Sequence, residues 1–145
     1  MAVRAFDIPH DAAAPVGYII QGTSRCVVAT DIGNVDDRLQ QMLEGAQVLV
    51  LEANHDEEML KQGSYPYNLK QRILGPLGHL SNRRMAQVVA ELRRRPQKLI
   101  LAHLSESNNR PELAMDTVKS VLDSYGINNM EIYMTAQNHS TSVVF

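Results

Sequence analysis

The sequence predicts an α/β fold in which an antiparallel hairpin runs into a βαβαβ succession, with helices on one face of a single sheet. Three patterns lead there. Val48 to Leu51 and Leu99 to Ala102 are uninterrupted apolar runs of strand length, as in strands buried on both faces of a sheet. Between them, Met85, Val88, Val89 and Leu92 recur at the i, i+3, i+4, i+7 spacing of one helix face. Ahead of both, two strand-like segments are joined by Gly22-Thr23-Ser24, a short glycine-containing hairpin connection.

In chain order, Val3 to Phe6 reads as a first strand, and Val16 to Gln21 and Arg25 to Thr30 as the hairpin. Asn34 is placed to cap a helix that carries Asp36 and Asp37 in its first turn, favourable near the positive end of the helix dipole, with Leu39, Met42 and Leu43 inward. Val48 to Leu51 follows as a buried strand. The stretch from Glu57 to Gly78, with Tyr65-Pro66-Tyr67, reads as short helices and loop. Ser81 caps the next helix and Pro96 stops it. After the Leu99 to Ala102 strand, Pro111 opens a helix with Ala114, Val118, Val121, Leu122 and Tyr125 inward, ending at Gly126. Met130 to Met134 is the last strand. There is no internal repeat and no low-complexity linker, so one domain over residues 1–145 is expected.

With 145 residues, a chain of this kind buries roughly 68% of the surface its unfolded form exposes. No apolar run approaches the roughly 20 residues that span a bilayer, and Met1 to His10 lacks a secretory leader pattern; a cytoplasmic protein is expected. Cys26 is the single cysteine, which excludes an internal disulfide framework and a thiolate zinc cage, so any metal here rests on histidine and carboxylate. The formal charge of -2 conceals segregation. Residues 31–58 carry eight acids against Arg38 alone, whereas residues 61–110 carry ten bases against Glu91 and Glu106. Solvated helix faces and helix ends account for such blocks; so does an acidic metal-holding region beside a basic one that receives a polyanion.

Metal-competent side chains stand directly after the apolar strands: His10 with Asp11 after the first, Asp31 after Val27-Val28-Ala29-Thr30, and His103 after Leu99-Ile100-Leu101-Ala102. Strand ends aim side chains from rigid elements into a shared crevice. Two imidazoles and a carboxylate suit zinc, manganese or iron and leave positions for water. Each residue also has a structural reading: a hydrogen-bonded histidine, or an aspartate closing a turn on its own backbone. Glu52 ends a strand, and His79 lies just before the Ser81 helix, where an imidazole can face an anion. His55, within Asn54-His55-Asp56, has metal-competent chemistry but no second residue that fixes its role. No Gly-x-Gly-x-x-Gly and no Gly-x-x-x-x-Gly-Lys-Ser/Thr occurs, so nucleotide binding by those loops has no support.

Five segments in order carry a resemblance: Phe6-Asp7-Ile8-Pro9-His10-Asp11-Ala12, Thr30-Asp31-Ile32-Gly33, Leu51-Glu52-Ala53-Asn54-His55-Asp56, Gly78-His79-Leu80-Ser81-Asn82 and Leu101-Ala102-His103-Leu104-Ser105. Together they resemble the metallo-β-lactamase-fold hydrolases, and most nearly the WalJ-type exonuclease branch, which is similar to ribonuclease Z. The resemblance implies that His10 and His103 are metal ligands, that Asp31 bridges two divalent ions (zinc or manganese), and that Glu52 and His79 match the catalytic loops flanking the phosphate. Leu80-Ser81 departs from the Ser-Thr usual after that histidine. It further implies a phosphodiesterase or nuclease with nucleic acid as substrate, the basic stretch around Arg83, Arg84 and Arg93 to Arg95 holding its backbone.

The family's His-x-His-x-Asp-His signature occurs nowhere in the chain. The expectation is therefore a single partial domain, the C-terminal half of an αββα sandwich, with an incomplete ligand set. Inactivity alone, an exposed sheet face, and self-association or pairing with an N-terminal half follow from it. Two alternatives stand beside it: a non-catalytic interaction or regulatory module keeping the half-fold, and an unrelated α/β binding domain with structural histidines.

Overall fold

A computed structural model of the chain describes residues 1–144. Six strands form one sheet in sequence order: β1 (Ala2–Asp7), β2 (Val16–Gln21), β3 (Arg25–Ala29), β4 (Val48–Glu52), β5 (Lys98–Ala102) and β6 (Glu131–Met134). The first three pair antiparallel and β3 through β6 pair parallel. Five helices complete the chain: α1 (Asp37–Leu43), α2 (Glu57–Gln62), α3 (Tyr67–Leu74), α4 (Asn82–Glu91) and α5 (Pro111–Ser124).

The register explains the core. Val27, Leu49 and Leu99 are partners across β3, β4 and β5, as are Ala29, Leu51 and Leu101, so these side chains share one face. All six are fully buried against Leu39 and Leu43 of α1, Met85, Val88 and Val89 of α4, and Ala114, Val118 and Leu122 of α5. On the opposite face, Val3 and Ala5 stand beside Ile20 and Tyr18 of β2, and Val28, Val50 and Ile100 continue that level. Among the described residues no helix covers it: Val3 is 60% exposed, Tyr18 44% and Val16 37%. The sheet is thus closed on one side and apolar on its open side, the half-sandwich expected from the motif order.

Two details differ from the sequence reading. Asp36, not Asn34, caps α1, its side chain accepting from the Leu39 amide at 2.8 Å. Val35 is drawn into the core at 9% exposure, which carries the chain past Asn34 before the first turn begins. Tyr125 is not inward: it lies beyond the last turn of α5 and is 51% exposed, while Gly126, at φ 72°, reverses the chain and Ile127 takes the core position at 7%. Ser81 caps α4 as expected, accepting from the Arg84 amide at 3.1 Å.

Candidate metal centre

Parallel pairing of β3, β4 and β5 sends three strand ends to the same sheet edge. Ala29, Leu51 and Leu101 are level, so Asp31 and His103 each stand two residues beyond that line, and Glu52 stands one residue beyond it between them. β1 runs in the same direction and delivers His10 to the same edge. His79 arrives from the loop before α4. That loop lies on the Asp31 turn only because residue 33 is glycine: a Cβ there would collide with the backbone of Pro76 and Gly78.

Asp31 sits centrally. Its Oδ1 is 3.8 Å from His10 Nε2, 3.9 Å from His79 Nδ1 and 3.6 Å from His103 Nδ1. Beneath it, Glu52 has no exposed surface. Glu52 Oε1 is 2.6 Å from His79 Nδ1 and 2.8 Å from His103 Nδ1, and Oε2 accepts from the amides of Ile32 at 2.8 Å and Leu80 at 3.4 Å. An ionised carboxylate only accepts, so both Nδ1 atoms carry the proton. His10 Nδ1 lies 3.2 Å from the Gly78 carbonyl, which likewise only accepts. All three imidazoles therefore have Nδ1 engaged, the arrangement by which outer partners fix the tautomer of a metal-binding histidine, and His10 turns its Nε2 toward Asp11 Oδ1 at 3.6 Å and Asp31 Oδ1 at 3.8 Å.

Burial pushes the Glu52 carboxyl up, but hydrogen bonds from His103 and His79, the charge of His79 and the Ile32 amide outweigh it and hold its pKa below the ordinary range. The bond to Glu52 raises the pKa of His103 against the opposing effect of burial. Asp31, Glu52, His79 and His103 each offer a ligand atom within 4.8 Å of the others. With Glu52 occupied as the buried acceptor beneath them, Asp31 and the three imidazoles are the donors that fit a divalent cation accepting nitrogen and oxygen ligands.

The centre opens into a cleft of ≈ 380 Å³ lined by His10, Asp11, Asn54, Tyr65, Arg72, His79, His103 and Ser105. A second cleft of ≈ 1040 Å³ shares Tyr65, His103, Leu104 and Ser105 with it and runs past Arg110 and Thr135. Arg72 Nε and Asp11 Oδ2 meet at 2.5 Å across the first cleft, and this contact holds the Asp11 carboxyl below its usual range.

All five residues singled out from the sequence converge at this edge. Arg93 to Arg95 do not. They precede β5, at the opposite edge of the sheet, where the Arg93 and Arg94 amides donate to Glu44 and the Arg95 guanidinium donates to the Ala90 carbonyl at the end of α4. Sequence reasoning gave no role to the buried amides Asn54 and Asn82, which stand in two of the quoted segments, and missed Asn109, whose local hint is the Asn108-Asn109-Arg110-Pro111 entry to α5. His55 is 1% exposed, and neither ring nitrogen has a hydrogen-bond partner among the described residues; burial lowers its pKa despite Glu52 and Glu57 nearby.

A mixed sheet whose parallel strands gather histidine and carboxylate at one edge, with the described helices packed on one face, is an α/β layer bearing a candidate metal centre. Residues 1–104 match the family model described as beta-lactamase superfamily domain, and the chain belongs to that family. It is 42% identical over 126 residues to the exodeoxyribonuclease YycJ of Bacillus anthracis, an alignment covering 86% of this chain and 48% of that protein. It is 39% identical over 144 residues to the exodeoxyribonuclease WalJ of Streptococcus pneumoniae, covering 96% of this chain and 54% of WalJ. The chain thus spans about half the length of the curated relatives it matches.

Solved structures agree on the fold. The metallo-β-lactamase-fold protein YhfI of Bacillus subtilis superposes with a TM-score of 0.63 at 16% identity, over 92% of this chain and 46% of its own. Zinc-bound PqqB of Methylobacterium extorquens gives 0.57 at 17% identity, over 92% and 43%. No helix among the described residues is long and apolar enough to cross a membrane.

Proposed function

We propose that the chain is the C-terminal half of a metal-dependent phosphodiesterase acting on DNA, incomplete and inactive by itself. The observation that carries this reading is the Asp31 carboxylate set among three imidazoles, each held at Nδ1 by an oxygen acceptor. His10, Asp31 and His103 would hold the metal, zinc or manganese by their donor chemistry. Bound at such a centre, divalent ions lower the pKa of a water and neutralise charge developing on phosphoryl oxygens.

The chain's own residues account for the rest. Asp31 supplies negative charge that would hold cations at the edge. His79 faces the cleft and carries a proton on Nδ1, and Glu52 fixes its orientation from below, so Glu52 acts through His79. Substrate binding is assigned to the joined clefts, with Arg72, Arg110 and the Tyr65 ring along them. The names of the relatives supply DNA as the substrate class. The remaining metal ligands are assigned to a segment bearing His-x-His-x-Asp-His, and the apolar open sheet face is the surface on which that half would pack.

The test is reconstitution. The chain alone is expected to leave end-labelled DNA intact with manganese or zinc, and the chain joined to an upstream half carrying the signature is expected to degrade it from an end. Turnover by the chain alone defeats the half-enzyme reading. A joined protein that binds metal, packs its two halves and cleaves no phosphodiester favours the alternative, a non-catalytic interaction module retaining the half-fold.

A further inference from the structure

Asn109 is 4% exposed, and every polar atom of its side chain is used. Its Nδ2 donates to the Ala53 carbonyl at 3.0 Å, the Asn54 carbonyl at 3.1 Å and Asn82 Oδ1 at 2.8 Å. Its Oδ1 accepts from Asn82 Nδ2 at 2.9 Å and from the Arg110 amide at 3.0 Å. Three of the four partners, Ala53, Asn54 and Asn82, lie close in sequence to a residue of the metal centre. Ala53 and Asn54 follow Glu52 directly. Asn82 opens α4 three residues after His79. Asn54 in turn donates through Nδ2 to the carbonyl of His103 at 3.0 Å, and its own carbonyl also accepts from the Ser105 amide at 2.8 Å.

The carboxamide thus joins the segment after β4 to the start of α4 directly and reaches the His103 loop through Asn54, while making no hydrogen bond to either imidazole or to Glu52 among the described residues. The arrangement matters because His103 has φ 58°, a left-handed conformation that a histidine holds only when its surroundings impose it. Buried amide pairs of this kind tolerate little displacement, since a lost bond leaves a desolvated donor or acceptor behind. We propose that Asn109 is a positioning residue for the centre: its buried carboxamide sets the spacing of Glu52, His79 and His103 by tying together the loops that carry them. Its consequence for metal binding rests on the reading given above; its geometry does not.

The test uses the 145-residue chain with Asn109→Ala, Asn109→Asp and, as a structural control on the core-facing side of the helix that follows, Val118→Ala. Two quantities are read: the imidazole N–H resonances of His79 and His103 in metal-free protein, and Co²⁺ affinity with its visible absorption. Both Asn109 variants are expected to shift or broaden the two resonances and to weaken Co²⁺ at least about tenfold, a range typical of outer-shell partners. Aspartate has the shape of asparagine without its donors, so it is expected to fail as alanine does.

Val118→Ala is expected to lower the thermal midpoint while leaving both readouts in place. Unchanged resonances in Asn109→Asp overturn the proposal, as does a Val118→Ala variant that moves both readouts equally. Should the wild-type chain bind no Co²⁺, as its incomplete ligand set allows, the resonances, read without metal, decide the role of Asn109. Should neither Asn109 variant fold, Asn82→Ala removes only the Asn82–Asn109 pair and is expected to disturb the His79 resonance more than that of His103; equal shifts, or none, overturn it.

Discussion

Asp31 and His103 share a left-handed backbone, at φ 60° and 58°, and are the only two non-glycine residues of the described chain that do. They end strands two apart in the sheet, at the same level, and their side chains approach to 3.6 Å. Such conformations cost of order 1–3 kcal/mol each and persist where the surroundings over-determine them. Here both strained positions hold groups that face one point.

Asparagine adopts this conformation as readily as aspartate. Asp31→Asn is therefore expected to keep the folding free energy within about 0.5 kcal/mol while losing most metal affinity, because the central charge disappears. Asp31→Val, β-branched at positive φ, is expected to lose about 2 kcal/mol in addition. Urea unfolding and a metal titration separate the two effects; wild-type affinity in Asp31→Asn removes Asp31 from the ligand set.

Stability should fall on both sides of a plateau. The Glu52 pKa lies below its ordinary 4.5, so its contribution is complete above that value and is lost as pH falls through the lowered one. The His103 pKa lies above its ordinary 6.5, so its contribution is complete below that value and is lost as pH rises through the raised one. Glu52→Gln removes the partner of both shifts and is expected to cost about 1–3 kcal/mol at the plateau and to flatten both limbs. Urea midpoints measured across the acid and neutral range check this, and a profile in Glu52→Gln as steep as that of the wild type contradicts it.

The open sheet face makes a prediction about association. Tyr18 is 44% exposed in the middle of β2, on a level with Val28 and Val50. Exposed apolar sheet surface of this extent drives association, so the chain is expected to sediment as a dimer or larger species, and Tyr18→Lys to shift it toward monomer. A monomer at every concentration in the unsubstituted chain rules this out.

Much of this molecule is legible in sequence because its signals are local. The Leu49/Leu51 and Leu99/Leu101 pairs announce buried strands, and Ser81 announces the start of α4. Asn34 and Asp36 illustrate the limit of local signals: both side chains can cap a helix, and the choice was made by the burial of Val35, a tertiary event. The site divides in the same way. Residues at strand ends, His10, Asp31 and His103, are readable because strand ends meet at an edge. The reach of Glu52 to imidazoles 27 and 51 residues away is not, nor is the dependence of His79 on the missing Cβ of Gly33. Asn109 is the extreme case, since its partners lie 27, 55 and 56 residues away.

The last prediction concerns α3, which buries none of its residues and has no side-chain cap. Its place over the cleft is held by tethers rather than by core packing: Arg72 to Asp11 at 2.5 Å, and Lys70 Nζ donating to the Lys61 carbonyl at 2.7 Å. Exposed ion pairs contribute little to global stability, but in a segment with no buried side chain the only other tether among the described residues is the His79 amide donating to the Ile73 carbonyl at 2.9 Å, so the pair bears on local opening. Arg72→Ala is therefore expected to speed amide exchange and proteolysis within residues 67–74 while leaving the thermal midpoint and metal affinity in place. Asp11→Arg combined with Arg72→Asp restores the pair in reverse and should restore protection. Because Tyr65, Leu69, Arg72 and Ile73 line one wall of the cleft, the same loosening should weaken binding of an oligonucleotide to a complete enzyme more than it slows the chemical step. Exchange in α3 unaffected by Arg72→Ala would show that the helix is held by something other than this pair.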